Sequence, residues 1–450
     1  MNVERIRSPR GRSRPARFEK GGRIGSLAII VGGGFLGWAL PNLEPHLPSG
    51  GLGFSASTAQ AALAAIAAAM ITLAGFVLTA VTLVIQTIQA MSPRLVGALH
   101  YFGRFLTVFA LLVGTALYAL VALSHVDSDE TPRLAVTFAV ALVLFDTIVV
   151  LNMLAALRSV VTGGGLSRAV GERLHHVVED VYPAAYGESG PVDPDPGPAA
   201  DGLRRTDVRF SGRPGTVSSF DERELVAWAA RTGCRIEMTV AVGDFVGGSA
   251  RIAQIAAPPG TDVREPAAAV SAALGVGPTR TFEQDPAYGL RLLADIAIRA
   301  LSPAVNDPTT AVQALDQIED ALLKLSGRAL GTFGLVDDEG GIRVRCPAPS
   351  WSDLVSLALD EILLYGAGNP QIARRLRALI ARVDFHAPQE RHEPLLERLA
   401  LLDRMVPHAA PDPHYRTLSA AADLQGLGGP ERPGFAARRK TGPPGLGGPA

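Results

Sequence analysis

Apolar and polar residues divide this chain into two parts with different patterns. Four long apolar stretches lie in the first third, and nothing similar occurs in the remainder. A run of about 20 apolar residues matches the ~30 Å thickness of bilayer hydrocarbon, where backbone amides must be hydrogen-bonded within the segment. We therefore expect four transmembrane helices, at Ile24–Leu40, Ala61–Ile85, Phe105–Leu123 and Leu134–Leu154.

The first apolar stretch is the shortest and the least typical of the four. Gly32, Gly33 and Gly34 lie in its middle, and each lowers helix propensity by ~1 kcal/mol relative to alanine. A basic leader before an apolar core is also typical of a signal peptide, but no small-x-small cleavage site follows. We expect an uncleaved anchor. Failure of this stretch to insert would leave three spans and place the large carboxy-terminal region outside the cell.

The charges of the connecting loops indicate an orientation. Eight basic side chains and only two acidic ones precede the first span, whereas the loop at 41–60 contains no Lys or Arg. The next loop carries Arg94 and Arg104 without an acid, and the loop at 124–133 is mostly acidic. This alternation follows the positive-inside rule. It predicts that both termini lie in the cytoplasm.

Beyond the fourth span the pattern changes to shorter elements. Short β segments bounded by glycines come first, and apolar residues at spacings of three and four then predict helices. The predicted fold class is a mainly α membrane protein: four transmembrane helices followed by a small β module and an α-helical cytoplasmic domain. The predicted regions are a basic amino terminus at 1–23, the transmembrane region at 24–160, a helix and Pro/Gly linker at 161–202, the β module at 203–258, the helical domain at 263–408 and a disordered tail at 409–450.

The second span carries small and polar residues at alternating spacings of four and three, all on one helix face. Small residues let neighbouring helices approach closely, and hydroxyls bond between helices, so packing is the first interpretation. The second interpretation is a wetted face that lines a pore. We call this face the Ala/Thr stripe. It consists of Ala61, Ala65, Ala68, Thr72, Gly75, Thr79, Thr82, Gln86 and Gln89.

Asp146 lies inside the fourth span, about two turns from its predicted cytoplasmic end. An ionisable group at this depth is costly unless it is paired or hydrated. One interpretation is a proton or cation relay. The other is a neutral acid that bonds across the bundle to Thr72, Thr79 or Tyr118. No Lys or Arg lies within any span to pair with it.

The segment Arg280–Ala311 has the densest polar pattern of the chain, and we call it the signature segment. Its first part predicts a charged ladder at intervals of four on a helix face, worth about 0.3–0.5 kcal/mol per pair if exposed. Its second part predicts a turn in which Asp307 caps the next helix, at Pro308. The candidate site residues here are Arg280, Asp285, Arg291, Asp295, Arg299, Ser302, Asn306, Asp307 and Thr310.

The signature segment, with DPAYGLRLLADIAIRALSPAVNDPTTA, resembles domain-of-unknown-function family 2254, the predicted integral membrane proteins of bacteria. The stretch Met91-Ser92-Pro93-Arg94-Leu95 after the second span is also similar to a stretch of that family. The resemblance covers most of Ile24–Met405. It implies a multi-pass amino-terminal region and a cytoplasmic carboxy-terminal region, and it implies no activity.

Several classes of chemistry are absent from the sequence. The turns of the β module resemble those of biotinyl or lipoyl barrel-sandwich domains, but no lysine lies between Leu203 and Ile255 for cofactor attachment. No phosphate loop, dinucleotide fingerprint or nucleophile elbow occurs. The histidines lack metal-ligand spacing, and the two cysteines, Cys234 and Cys346, do not make a zinc site. We expect no catalytic residues, no metal and no cofactor.

Two functional hypotheses follow. The first is a channel or transporter-like pore that the cytoplasmic part regulates, and the small-residue faces also favour a homo-oligomer. The second is a membrane-anchored sensor or scaffold that binds a partner or ligand through the signature segment, without transport. An enzyme ranks third, because no catalytic constellation emerges. The expected partners are the lipid bilayer and an unidentified cytoplasmic molecule, and no nucleic acid, since the basic amino terminus adjoins a membrane span.

Overall fold

The chain folds into two compact units in a computed structural model. The membrane unit comprises Arg12–Ala169, and the carboxy-terminal unit includes Val170–Ala450. The structure describes residues 15–46, 50–91, 94, 102–127, 131–161, 164–188, 203–261, 264–410 and 412–427. The predicted linker therefore lies outside the described residues from 189 to 202, as do most of the Met91–Leu95 stretch and residues 1–14 of the basic amino terminus.

Four helices of the membrane unit are long and apolar enough to cross a membrane, as predicted. The third is the central one, since it makes the most extensive contacts with the other three. In the most apolar 18-residue segment of this helix, 50% is buried within the chain, compared with 22–28% in the other three helices. The helices are α1 (Pro15–Leu43), α2 (Ala56–Met91), α3 (Phe102–Leu123) and α4 (Arg133–Val161).

The glycines of the first span hold α1 against α3. A Cβ atom added at Gly33 would lie 2.2 Å from the carbonyl oxygen of Gly114, and one at Gly37 would lie 2.5 Å from that of Tyr118. Such close backbone approach is the usual reason for glycines four residues apart in membrane helices. Gly33, one of the three glycines that weaken the sequence prediction of this span, is therefore a packing residue, and the helix is continuous through all three.

The carboxy-terminal unit begins within α5 (Gly165–Val181) and contains two small sheets and a group of helices. One sheet has the strand order β1-β5-β3-β8-β7, antiparallel except for β3 and β8, and the other has the order β4-β2-β6. The strands are β1 (Arg204–Arg209), β2 (Gly215–Phe220), β3 (Arg235–Met238), β4 (Phe245–Val246), β5 (Arg251–Ala257), β6 (Leu274–Gly277), β7 (Phe333–Val336) and β8 (Ile342–Cys346).

The helices of this unit begin where the sequence places their caps. Asp307 accepts the backbone N–H of Thr310, and Asn369 accepts those of Gln371 and Ile372. The helices are α6 (Glu222–Thr232), α7 (Arg264–Ala272), α8 (Pro286–Ala300), α9 (Pro308–Ser326), α10 (Trp351–Gly366), α11 (Pro370–His386), α12 (His392–Ala409) and α13 (Pro413–Ala420).

Two predictions for this region need correction. The region predicted as wholly helical, 263–408, contributes strands β6, β7 and β8, and β8 pairs with β3, so the predicted β module is not a closed set of strands. The predicted disordered tail includes α13, and the chain after it packs on α11, where the backbone N–H of Asp423 donates to the Arg374 carbonyl. Other predicted domain limits stay predictions.

Candidate functional site

The Ala/Thr stripe lies on the outer surface of the membrane unit. All nine of its residues are exposed, from Ala61 to Gln89. The opposite face of α2 is buried, with Leu63, Met70 and Val77 among the residues that pack against the other helices. The stripe therefore does not pack against the described helices of its own chain, and both interpretations, packing against another helix and lining a pore, stay predictions.

The threonine hydroxyls of the stripe are satisfied within their own helix. Thr72 donates to the Ala68 carbonyl at 2.9 Å, Thr79 to that of Gly75 at 3.0 Å, and Thr82 to that of Leu78 at 2.8 Å. This i to i−4 bonding is common for hydroxyls in membrane helices. The threonine hydroxyls therefore need no hydrogen bond from water, and the small side chains of the stripe leave room for another helix to approach.

The spacing of the stripe repeats every seven residues. Ala65, Thr72, Thr79 and Gln86 occupy one heptad position, and Ala68, Gly75 and Thr82 share the other. A straight helix drifts by ~20° per heptad, so a face kept at this period fits a left-handed crossing with another helix. The flanking exposed residues are large and apolar, as lipid contact requires: Ile71, Phe76, Leu78 and Leu83.

Asp146 is buried inside the helix bundle. The side chains that the sequence analysis suggests as its partners do not bond to it. It is 1% exposed, and neither carboxylate oxygen has a hydrogen-bond partner of normal geometry. The nearby polar group is the Thr115 hydroxyl on α3, which the sequence analysis missed. The proposed partners are wrong: Thr72 and Thr79 are exposed on α2, and the Tyr118 hydroxyl donates to the Ala135 carbonyl at 2.8 Å.

The first part of the signature segment joins the sheet region to helix α8. Asp285 is 3% exposed and caps α8 by accepting the Tyr288 backbone N–H, and Arg280 donates to its other oxygen at 2.7 Å. Arg280 also lies against the turn at Gly243, where φ is +96° and a Cβ atom would collide with the guanidinium. Burial raises the pKa of the Asp285 carboxyl, and Arg280 opposes this shift. The Arg280–Asp285 ion pair therefore links the turn at Gly243 to the start of α8.

The charged ladder of α8 is only partly the predicted one. Arg291 bonds to Asp295 at 2.7 Å along the helix, as expected, but it also forms a two-bond ion pair with Glu361 on α10. These hydrogen bonds hold the pKa of Glu361 below its ordinary value. Arg299 is exposed. Arg291, at the start of the ladder, therefore joins α8 to α10, whereas Arg299, at its end, is exposed to solvent.

The polar turn after α8 is formed by its own hydrogen bonds. The Ser302 hydroxyl donates to the Arg299 carbonyl, and the Ser302 carbonyl accepts the backbone N–H of Asn306 at 2.8 Å. Asn306 has φ of +46° and is exposed. Asp307 accepts both the backbone N–H and the hydroxyl of Thr310. Each of these residues therefore has a local structural role.

Structural residues that the sequence analysis missed lie far from their partners in sequence. Glu44 accepts the backbone N–H groups of Leu134 and Ala135 and so caps α4. Arg391, 6% exposed, donates to three carbonyls at and beyond the end of α9 and lies over the ring of Trp351. No local signal marks either residue, because each contact depends on the tertiary fold.

No group of three or more His, Cys, Asp or Glu side chains converges as a metal site within the described residues. The four apolar helices and the unpaired acid inside them define the class: this is a multi-pass membrane protein. The chain belongs to the family described as predicted membrane protein, domain-of-unknown-function family 2254, whose pattern matches residues 24–382. The family resemblance of the signature segment is thus confirmed.

Relatives of this chain occur in mycobacteria. It is similar to uncharacterized proteins of Mycobacterium bovis and Mycobacterium tuberculosis, each 27% identical over 388 residues, which cover 84% of this chain and 73% of the relative. A protein of a second Mycobacterium tuberculosis strain is 26% identical over 391 residues. No solved structure matches the chain significantly.

Proposed function

We propose that this protein is a channel of the bacterial inner membrane, formed by several copies that meet along the Ala/Thr stripes of their α2 helices. The observation that carries the proposal is that a heptad of small and polar residues is exposed to the bilayer rather than packed within the chain. Lipid-facing helix surfaces are normally rich in large apolar residues, whereas small residues at a repeated position favour helix contact.

The same stripe supports both a closed and an open state. In a closed assembly, alanine, glycine and the inward-bonded threonines of neighbouring α2 helices pack closely. When the helices separate, the Thr72, Thr79 and Thr82 hydroxyls can rotate to hydrogen-bond water instead of their own carbonyls. Gln86 and Gln89 then lie at the end of the path nearest the predicted cytoplasmic side. The uncharged lining favours a small ion or polar solute over a highly charged one.

Regulation by the carboxy-terminal unit is part of the proposal, with both termini in the cytoplasm as the loop charges predict. Helix α5 begins four residues after α4 ends and is held firmly by α9. Lys324 donates to the His175 carbonyl and to Glu179, and a Cβ atom at Gly171 would collide with Gln317. A shift of α9 would therefore move α5 and pull on the end of α4. The proposal includes no catalytic step and no nucleic acid.

The test uses full-length protein in vesicles and compares two neighbouring positions. Gly75→Ser places a hydroxyl on the stripe, while Phe76→Ser places one on the lipid-facing flank. We expect potassium or glycerol flux above that of empty vesicles for the wild type, and a larger leak for Gly75→Ser alone. Flux equal to empty vesicles for both the wild type and Gly75→Ser would overturn the channel proposal, provided that both proteins elute as folded species.

A membrane-anchored sensor or scaffold is the second candidate. One observation favours it: the loop after α8 exposes Val305, at 47%, beside Asn306 in the left-handed conformation. In this candidate function, the exposed turn is the proposed binding site for a protein partner. Val305→Asp should then abolish the physiological effect of the protein while vesicle flux stays unchanged. If the wild type conducts and Val305→Asp leaves the physiological effect intact, the channel is favoured.

A further inference from the structure

Asp146 is buried beside the apolar core of the bundle. Val150 follows one turn later on α4 and belongs to a cluster that contains Met70, Ala74 and Leu112. The Thr115 hydroxyl on α3, itself 3% exposed, is the polar side chain beside the carboxyl. Two carboxyl oxygens and one hydroxyl form too small a set to replace the six or so oxygens that a metal cation usually takes.

The side chains that the structure describes bring no opposite charge to this carboxyl, and the basic residue of α3, Arg104, lies 11 residues before Thr115 in sequence. Helix α2 contains no ionisable side chain at all, and those of α1 all precede Ile24. On α3, Tyr118 uses its hydroxyl to bond the Ala135 carbonyl. Arg133 and Arg158 on α4 itself lie 13 and 12 residues away, roughly 20 Å along the helix. The Glu44 carboxylate is at the distant start of α4, where it bonds two backbone amides.

An ionised carboxylate in this position would have neither solvent nor a counter-charge, which is the most costly state of a buried acid. A neutral carboxyl needs only one weak partner, which Thr115 provides. We propose that Asp146 is a proton-binding site of the membrane unit: the carboxyl holds its proton while the helices are packed and releases it only when they separate and admit water. Proton binding and closure of the bundle are then coupled.

The first test is infrared spectroscopy of the full-length protein in vesicles of phosphatidylethanolamine and phosphatidylglycerol. At pH ~7.5 exposed carboxyl groups are ionised. The difference between the wild type and Asp146→Asn should therefore contain the carbonyl stretch of one neutral carboxylic acid. A difference that contains only ionised carboxylate bands would overturn the proposal. If the variant does not fold, ¹³C-aspartate in the wild type identifies the same neutral-acid band by its isotope shift.

The second test is chemical and uses dicyclohexylcarbodiimide, an apolar reagent that attacks protonated carboxyl groups in membranes. We expect an adduct on the peptide that contains Asp146, its loss in Asp146→Asn and its retention in the control Glu44→Gln. Acidification should not increase this adduct further. An adduct confined to other acids, or an equal amount in Asp146→Asn, would contradict the proposal. Both tests report the proton directly, so they are independent of whether the protein conducts.

Discussion

The membrane unit and the carboxy-terminal unit use polar side chains in opposite ways. In the carboxy-terminal unit, charged residues of the signature segment form ion pairs, within the segment as between Arg280 and Asp285, and with another helix as between Arg291 and Glu361. In the membrane unit, the threonines of the stripe bond only to their own helix, and Asp146 has no partner of normal geometry. Contacts between glycines and backbone, as at Gly33, hold that unit together instead.

This difference teaches where to look for function. A dense polar motif is often interpreted as a ligand site, but caps and ion pairs that stabilise the carboxy-terminal unit explain the signature segment. The stripe threonines and Asp146, unlike Glu44 and Tyr118, form no hydrogen bond of normal geometry that links one helix of the membrane unit to another. Polar groups in lipid that are not needed for the fold are the better candidates for function.

The largest effect should follow the loss of Arg391. Its guanidinium donates to the carbonyls of Leu325, Ser326 and Arg328, so Arg391→Ala leaves two buried acceptors and one partly buried acceptor without that donor. Hydrogen bonds to charged groups are worth about 1.5–3 kcal/mol, and we expect a loss of about 3 kcal/mol in the free energy of unfolding. Chemical denaturation of the full chain measures it. The control is Arg299→Ala, at an exposed position, which should change stability by less than about 0.5 kcal/mol. Equal effects would contradict the account.

The second effect concerns the contact between α1 and α3. Gly33→Ala places a methyl group on the carbonyl of Gly114, and overpacking of this kind costs about 1–3 kcal/mol. Its neighbour Gly32 has open space around a Cβ atom, so Gly32→Ala should be neutral or stabilising by ~1 kcal/mol. Thermal unfolding in detergent compares the two variants. If both behave alike, close packing at Gly33 does not hold the bundle.

The third effect is smaller and depends on pH. The pKa of Glu361 is lower in the folded chain than in the unfolded chain, so its ion pair stabilises above the ordinary pKa of ~4.3 and is lost as pH falls through the lowered value. Because the Glu361 side chain is 48% exposed, we expect Glu361→Gln to cost less than about 1 kcal/mol at pH ~7. The difference from the wild type should shrink toward zero in acid. A difference that grows on acidification would contradict this sign.

The smallest stability effect should be that of Thr79→Val. The hydroxyl bonds only to the Gly75 carbonyl of its own helix, so its loss should change the stability of a single copy by less than about 0.5 kcal/mol. If the stripe lines a path, the same change should reduce vesicle flux. A large loss of thermal stability, with flux unchanged, would mean that Thr79 has a packing role instead.

Much of this fold follows from local sequence signals. The four spans, the heptad spacing of the stripe and the caps at Asp307 and Asn369 each depend on residues close together in sequence. Their physical causes are local too: apolar length matched to the bilayer, and a side chain that accepts the first free amides of a helix.

The remaining features depend on contacts between distant segments. Strand β8 pairs with β3, about 100 residues earlier. Both strands alternate between polar and apolar residues, but this alternation does not indicate which strand each one pairs with. Helix periodicity identifies the stripe but not which side of α2 packs inward, because both faces contain alanine and other apolar residues. The sequence likewise predicts that Asp146 lies within the fourth span, but it does not indicate that Thr115 of α3 lies beside it, because that contact depends on how the two helices pack.

The central claim is that the Ala/Thr stripe of one copy meets the stripe of another. Single cysteines in a Cys234→Ser, Cys346→Ser background test it by oxidative cross-linking in native membranes, since a disulfide requires Cα atoms within about 7 Å. We predict dimers from Ala68→Cys, Gly75→Cys and Thr79→Cys, and none from the adjacent Phe76→Cys and Leu78→Cys. Cross-linking that is absent along the stripe, or equal at Phe76 and Leu78, would contradict the account.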